Sequence, residues 1–154
     1  IMNAIDLLKE DHERVKSLFE QVKANEDGDN RGVFKQIKEE LDVHTHIEET
    51  IFYPRLIDEG DEELQKIVKE GIEEHRQVDM FLRELESLVK DSEKFSPKMK
   101  VVMEDVEHHI QEEEGEMFLM VESQFDEDTL DELGSEMEEE KESFQKQSSS
   151  ATAG

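Results

Sequence analysis

Cysteine is absent from this sequence, and its absence removes several kinds of site. Disulfide bonds, thiolate nucleophiles, zinc–thiolate sites and iron–sulfur clusters are all excluded. Only two prolines and seven glycines occur among 154 residues, which is little turn chemistry for a fold of many short strands. No apolar run approaches membrane-spanning length, and the first residues lack a basic region followed by an apolar run. We therefore expect a cytoplasmic protein.

Basic residues are also scarce. The sequence has 18 lysines and arginines against 44 aspartates and glutamates, which gives a formal net charge of −26. Such a charge repels the phosphates of nucleic acids and of anionic membranes, so we expect neither as a partner. The apolar residues, 34% of the total, recur at helical spacing, and the length suits one core. These features predict a single all-α domain.

Two segments of the chain resemble each other, residues 44–54 and residues 109–119. Each begins with a histidine, continues after three residues with two glutamates, and then reaches a hydrophobic pair. A histidine and a glutamate four residues apart lie on one face of a helix, so they can bind the same metal cluster. A further histidine precedes each segment by a similar distance. The candidate ligands are therefore His12, His44, Glu48, His75, His109 and Glu113.

All six candidates fall in the middle of the apolar stripes of four predicted helices. Ser96 and Pro97 resemble a helix cap and a first helical residue, and Pro54 should kink its helix or mark the last turns. An antiparallel up-down-up-down four-helix bundle would bring the six side chains to one level. A short C-terminal fifth helix should complete a domain spanning residues 1–146, before a disordered tail at 147–154. The predicted helices span residues 4–25, 32–57, 62–91, 97–125 and 129–146.

Six ionisable groups in an apolar core need a shared counter-charge, because each costs several kcal/mol when it is buried unpaired. A pair of metal ions supplies that charge. Imidazole with carboxylate suits iron and manganese, and zinc is a further option. The Glu-x-x-His motif of bundle di-iron carboxylate proteins is absent.

Other polar residues near the two segments leave alternatives open. His108 with Glu112 is the main alternative to His109 with Glu113. His46 lies nearly opposite His44 on its helix, so it is expected at the surface or beside a ligand. Glu49 and Glu114 are expected either to support the ligands or to be solvated. All of these residues belong to or adjoin the two repeated segments.

The order of the six residues resembles that of the hemerythrin-like (HHE cation-binding) domains, over roughly residues 3–125. The family pattern is a single histidine followed later by His-x-x-x-Glu, and this pair of motifs occurs twice along the chain. The resemblance implies a four-helix bundle with a non-haem di-iron centre. The four histidines would be terminal ligands, Glu48 and Glu113 would bridge the irons, and an oxo, hydroxo or water bridge would complete the core. Hemerythrins that carry oxygen have another histidine at the position of Asp79, so Asp79 is a candidate further ligand.

The resemblance implies binding or chemistry of a small molecule such as dioxygen, peroxide or nitric oxide. Catalase-like peroxide breakdown and sensing are both consistent with it, so whether the protein is an enzyme stays open. Two alternatives from other classes remain. One is an iron-binding, storage or sensing domain without turnover, and the other is a metal-free helical interaction module.

Overall fold

The computed structural model describes residues 2–153, with side chains for residues 2–149. The described chain is almost entirely helical, as the sequence predicts. Two π-helical turns, Glu48–Phe52 and Glu113–Met117, interrupt the second and fourth long helices. The α-helices are α1 (Ala4–Ala24), α2 (Arg31–Ile47), α3 (Tyr53–Glu59), α4 (Glu62–Ser87), α5 (Phe95–Glu112), α6 (Phe118–Gln124) and α7 (Glu127–Ala153). None of the described helices is both long enough and apolar enough to cross a membrane.

The helices form the predicted antiparallel four-helix bundle. One hairpin contains α1 and the continuous rod of α2 and α3, and the other contains α4 and the rod of α5 and α6. Within the hairpins α1 packs on α2 and α4 packs on α5, while α3 joins the two by packing on α4. Short connections of a few residues force each helix to run back along the previous one. The fifth helix, α7, packs across α1 and α2.

Apolar side chains fill the bundle in two separate clusters. One cluster contains Leu8, Phe52 and Leu64, and the other contains Val15 and Leu82. The chain passes from one cluster to the other within each long helix. The residues between the clusters are the buried histidines and glutamates. The fold therefore places one polar layer between two apolar ones, near the middle of the bundle.

Two helix ends differ from the sequence prediction. α5 begins at Phe95 with Lys94 as its cap, so Pro97 is the third helical residue rather than the first. A proline there costs little, because the first N–H groups of a helix have no partner within it. α4 ends at Ser87 rather than near Asp91, since Leu88 adopts an extended backbone.

The C-terminal helix is longer than the sequence predicts. α7 begins at Glu127 and continues through Ala153, and so includes residues 147–153 of the predicted disordered tail. Residues 135–153 contain neither glycine nor proline, so no strong helix breaker interrupts this segment. Gly154, the last residue of the predicted tail, lies outside the described residues.

Candidate metal centre

Glu48 and Glu113 are the first residues of the two π-helical turns. A π-helical turn inserts one extra residue and so rotates the helix that follows it. At the end of the first turn, the consecutive side chains of Phe52 and Tyr53 are both fully buried. Pro54 comes directly after them, where its missing N–H removes one regular helical hydrogen bond. The turns therefore let each of these two helices place both a buried glutamate and two large neighbouring side chains in the core.

The carboxylate of Glu48 contacts one histidine from each hairpin. Its Oε1 atom lies 3.1 Å from Nε2 of His44 and 3.1 Å from Nε2 of His75. His44 is one helical turn before Glu48 on the same helix, whereas His75 comes from α4. Glu48 itself is completely buried. A single carboxylate thus spans the two halves of the bundle.

Glu113 repeats this arrangement with the other two histidines. Its Oε1 atom lies 3.1 Å from Nε2 of His12, and its Oε2 atom lies 3.2 Å from Nε2 of His109. The rings of His12 and His44 are 4.9 Å apart, and those of His75 and His109 are 4.8 Å apart. The site thus has two histidine pairs, each next to both carboxylates. Potential ligand atoms within 4.8 Å of one another form two buried groups, one of His12, His44 and Glu113 and the other of Glu48, His75, His109 and Glu113.

The Nδ1 atom of each of the four central histidines donates a hydrogen bond to a carboxylate on a neighbouring helix. The four pairs are His12 with Glu114 at 2.6 Å, His44 with Asp11 at 3.0 Å, His75 with Glu49 at 2.8 Å and His109 with Glu74 at 2.7 Å. Each acceptor is adjacent in sequence to one of the six central residues. Each long helix therefore orients the histidine of the following long helix, and the fourth orients the histidine of the first. Because Nδ1 carries the proton, the lone pair of Nε2 in a neutral ring points toward the centre.

Several buried polar atoms at the centre have no hydrogen-bond partner among the described residues. They are Nε2 of His12, Nε2 of His44, both carboxylate oxygens of Glu48 and Oε1 of Glu113. Nε2 of His12 lies 3.1 Å from Oε1 of Glu113, and Nε2 of His44 lies 3.1 Å from Oε1 of Glu48, but neither contact has the geometry of a hydrogen bond. An unpaired buried polar group costs about 1–3 kcal/mol. Converging nitrogen and oxygen lone pairs are what a metal ion binds, so these residues fit a cation site.

Without metal, the charges in the site favour protonated histidines. Burial lowers the pKa of His44, but the charge of Glu48 and the hydrogen bond to Asp11 outweigh burial and raise this pKa to about 10. Burial raises the pKa of Glu113, yet the charge of His109 holds that pKa well below its usual range. Protons therefore balance the buried carboxylates until a metal ion displaces them.

Tyr53 adds a neutral hydroxyl group to the centre. It donates a hydrogen bond to Oε2 of Glu113, and its oxygen lies 3.5 Å from Nε2 of His75. Burial raises the pKa of Tyr53 well above its ordinary value, so the phenol keeps its proton. Gly71 makes room for this hydroxyl, since a Cβ atom there would lie 3.2 Å from it and 3.5 Å from Cε1 of His109.

A small cavity borders the four histidines. Its volume is about 30 Å³, which is on the scale of a single water molecule. Apart from the histidines and Glu74, the walls are largely aliphatic. The lining residues are His12, Val15, Leu41, His44, Thr45, Glu74, His75, Val78, Val106, His109 and Ile110.

The structure places two other candidates away from the centre. Asp79 pairs with Arg83 at 3.0 Å, and the Asp79 side chain is 45% exposed. The side chain of His108 is 66% exposed and pairs with Glu112 at 2.9 Å. The six predicted residues at the core positions come together, whereas Asp79 does not join them.

Three residues of the site were missing from the sequence prediction. Asp11 and Glu74 each come directly before a candidate histidine, and that adjacency was a usable signal. Glu49 and Glu114, expected either as supports or as solvated residues, do support histidines. Tyr53 gave no signal, because its position depends on the π-helical turn before it.

Comparisons with known proteins agree with this geometry. The model of the hemerythrin HHE cation-binding domain matches residues 3–121. The crystal structure of a hemerythrin HHE cation-binding domain-containing protein from Mycobacterium kansasii superposes with a TM-score of 0.78 at 25% identity. This superposition covers 94% of this chain and 88% of that one.

Two curated proteins show related sequences. A DNA nickase from Nostoc sp. is 25% identical over 124 residues, which are 78% of this chain and 34% of that protein. An uncharacterized hemerythrin-like protein from Schizosaccharomyces pombe is 28% identical over 110 residues, which are 71% of this chain and 54% of that protein. The chain thus spans about a third and about half of the lengths of these relatives.

The family match includes all six central residues, both π-helical turns and the four long helices of the bundle up to residue 121. The buried histidines and glutamates are arranged as a cation site requires. On this combined agreement of sequence, fold and site, the chain belongs to the hemerythrin HHE cation-binding domain family.

Proposed function

We propose that this domain binds a pair of iron ions and that a small ligand, dioxygen, peroxide or nitric oxide, binds there. The main support is the set of buried, unpaired nitrogen and oxygen atoms that face one another at the centre. Protons can balance the charge of that set only by occupying the Nε2 lone pairs that a metal ion would otherwise bind. The family match adds that such domains bind cations.

The two histidine pairs divide the proposed ligands between two ions. His12 and His44 would hold one ion, and His75 and His109 would hold the other. Glu48 and Glu113 each contact one histidine of each pair, which supports a role for both carboxylates as ligands shared by the two ions. Iron in such a set of nitrogen and oxygen ligands supplies redox chemistry toward small oxygen and nitrogen compounds.

The protein's own residues restrict what reaches the ions. The cavity beside the histidines holds only a few atoms, and Val15, Val78 and Val106 form part of its wall. Larger organic substrates are excluded by size. Tyr53 provides a neutral hydrogen-bond donor at the opposite, glutamate side of the centre. A reaction with peroxide and the sensing of a diatomic gas both fit this restriction.

We do not extend DNA nicking to this chain. The curated nickase is matched over only 34% of its length. The net charge of −26 opposes binding to a phosphate backbone, because like charges repel at low and moderate salt. We therefore keep the prediction that this protein does not bind nucleic acid. Its cytoplasmic location is a separate prediction.

Elemental analysis of protein produced in iron-replete medium tests the proposal. We expect about two irons per chain, in line with a two-metal site. His75→Ala should lower the iron content, whereas the matched variant His108→Ala should not, because His108 is exposed on the surface. Folded protein without any metal would contradict the proposal and support a metal-free helical interaction module.

Ligand additions then separate the functional classes. Peroxide and nitric oxide should each change the absorption spectrum of the iron-loaded protein. Release of dioxygen from peroxide would identify catalase-like turnover, while spectral change without turnover would favour sensing. An iron-loaded protein that responds to neither ligand would instead be a storage or iron-sensing domain, and the small-ligand part of the proposal would fail.

A further inference from the structure

The C-terminal helix α7 lies outside the family match, which ends at residue 121. Its first half is anchored by the buried side chains of Leu130, Leu133 and Met137. Gly134 allows close packing, since a Cβ atom there would lie 2.4 Å from the carbonyl oxygen of Met2. This apolar half fixes α7 against the start of α1, as a capping helix would.

The second half of α7 makes polar contacts directly beside the metal centre. Nζ of Lys141 lies 2.7 Å from Oδ1 of Asp11. The other oxygen of Asp11 accepts the hydrogen bond from Nδ1 of His44 at 3.0 Å. A lysine of α7 is therefore two contacts away from a proposed metal ligand.

Asp11 differs from the other three carboxylates that orient histidines. Its side chain is 2% exposed, whereas those of Glu49, Glu74 and Glu114 are 37%, 32% and 28% exposed. A carboxylate that water cannot reach needs a cation nearby. Among the described residues, Asp11 alone of the four contacts lysine or arginine side chains, those of Lys141 and Arg14.

We propose that Lys141 is a positioning residue for the half of the metal centre that contains His12 and His44. This inference rests on the proposed metal centre. Lys141 shares the neutralisation of Asp11 with Arg14 and fixes the orientation of Asp11 from the side of α7, and Asp11 in turn fixes the ring of His44. Residues that orient metal ligands in this way typically contribute to metal affinity. If docking of α7 favours metal binding at this half of the centre, then metal bound there strengthens the docking of α7 by the same factor.

The chain provides controls on the same helix. Glu140 pairs with His46 at 2.8 Å, and the His46 ring stacks on Phe144 at 4.2 Å, so these residues dock α7 without contacting Asp11. Glu140→Gln thus weakens docking but leaves the contact between Lys141 and Asp11. Lys146→Met removes an exposed lysine one turn further along.

The experiment measures release of metal from the loaded protein to a chelator, after the parent's metal content has been determined. For Lys141→Met we expect one of the two equivalents to leave about tenfold faster, which is the lower end of effects of such supporting residues. Lys141→Arg, Glu140→Gln and Lys146→Met should release metal like the parent. Release from Lys141→Met at the parental rate, or equal acceleration by Glu140→Gln, would overturn the inference.

A double-mutant cycle guards against a general folding effect. In an Asp11→Asn background the buried charge is gone, so adding Lys141→Met should not accelerate release further. Additive effects would contradict the proposed route through Asp11. A parent protein that contains no metal would instead contradict the proposed function, so the two failures are distinguishable.

Reciprocal linkage gives a readout that does not depend on metal release. Trypsin should cleave after Lys146 more slowly in the loaded parent than in the metal-free parent. In Lys141→Met this difference should disappear. Equal protection by metal in both proteins would contradict the coupling between the metal centre and α7.

Discussion

The hydroxyl group of Tyr53 donates a hydrogen bond to Oε2 of Glu113, although the two residues belong to different hairpins. Removing the hydroxyl with Tyr53→Phe leaves that oxygen without its donor in the metal-free protein. We expect a loss of about 0.5–1.5 kcal/mol in the free energy of unfolding, the contribution of one hydrogen bond, because Nε2 of His109 still lies 3.2 Å from the same oxygen. In the loaded protein a metal ion can satisfy the same oxygen, so the loss should be smaller. Chemical denaturation of both forms measures the difference, and equal losses would count against metal binding at Glu113.

The carboxylates beside the histidines should control metal affinity. Glu114 accepts a hydrogen bond from Nδ1 of His12 at 2.6 Å. Glu114→Gln weakens this support, and we expect affinity to fall about 10–100-fold. Glu116→Gln, which changes an exposed residue of the same π-helical turn, is the matched control. Competition with a chelator of known affinity measures both, and identical values for the two variants would show that Glu114 does not act on the metal.

Asp79→Ala should leave the metal content and the absorption spectrum of the loaded protein unchanged. The reason is that Asp79 is half-exposed and pairs with Arg83 rather than with the centre. Elemental analysis and absorption spectroscopy together check this outcome. A shifted spectrum at full metal content would restore Asp79 as a ligand.

The stability of the metal-free protein should depend on pH through two buried groups. The pKa of His44 is raised from 6.5 to about 10, so its contribution is complete below pH 6.5 and is lost as pH rises toward 10. The pKa of Asp11 goes the other way. Burial raises it, but the hydrogen bond and charge of His44 and the contact with Lys141 lower it to about 2. Its contribution is therefore present above 3.8 and is lost as pH falls through about 2.

Metal should change the alkaline side of this profile. A bound cation replaces the proton of His44, so the loaded protein should keep its stability as pH rises from 6.5 to 10. Metal affinity should increase over the same interval, because the proton no longer competes. Denaturation of both forms at the two ends of the interval tests this, and parallel profiles would argue against metal binding at His44.

Filling the cavity should block ligands without removing metal. Val78 lines the cavity beside the histidines, so the larger ring of Val78→Phe should fill part of that cavity. We expect the binding of nitric oxide to the loaded protein to slow, while metal content stays at the parental level. Val101→Phe makes the same change at an exposed position of α5 and should have no effect. Stopped-flow absorption measures both rates, and an unaltered rate in Val78→Phe would place the ligand route elsewhere.

The bundle and its six central residues could be predicted from the sequence because they follow one rule. His44 and Glu48 interrupt an apolar stripe at helical spacing, and His109 with Glu113 does so again. Only a shared site explains polar residues at matching depth on several helices. The periodicity within each helix, repeated in several helices, is therefore sufficient to predict both the fold and the central layer.

The remaining features depend on geometry between helices, which periodicity does not contain. Glu74 orients His109 across a helix interface, and Lys141 contacts Asp11 from a helix 130 residues away in sequence. α7 is also longer than the Ser-rich composition of its last residues predicts, since residues 135–153 contain neither glycine nor proline.

The hydrogen bonds to the histidines run in a closed circle around the bundle, and this has a consequence for assembly. The first hairpin contains His12 and His44, but the support for His12 is Glu114 of the second hairpin. The second hairpin in turn relies on Glu49 of the first to support His75. Neither half of the molecule holds a fully supported pair of histidines by itself. A complete site therefore requires that both hairpins pack on each other, so binding of metal and closure of the two hairpins should be thermodynamically coupled.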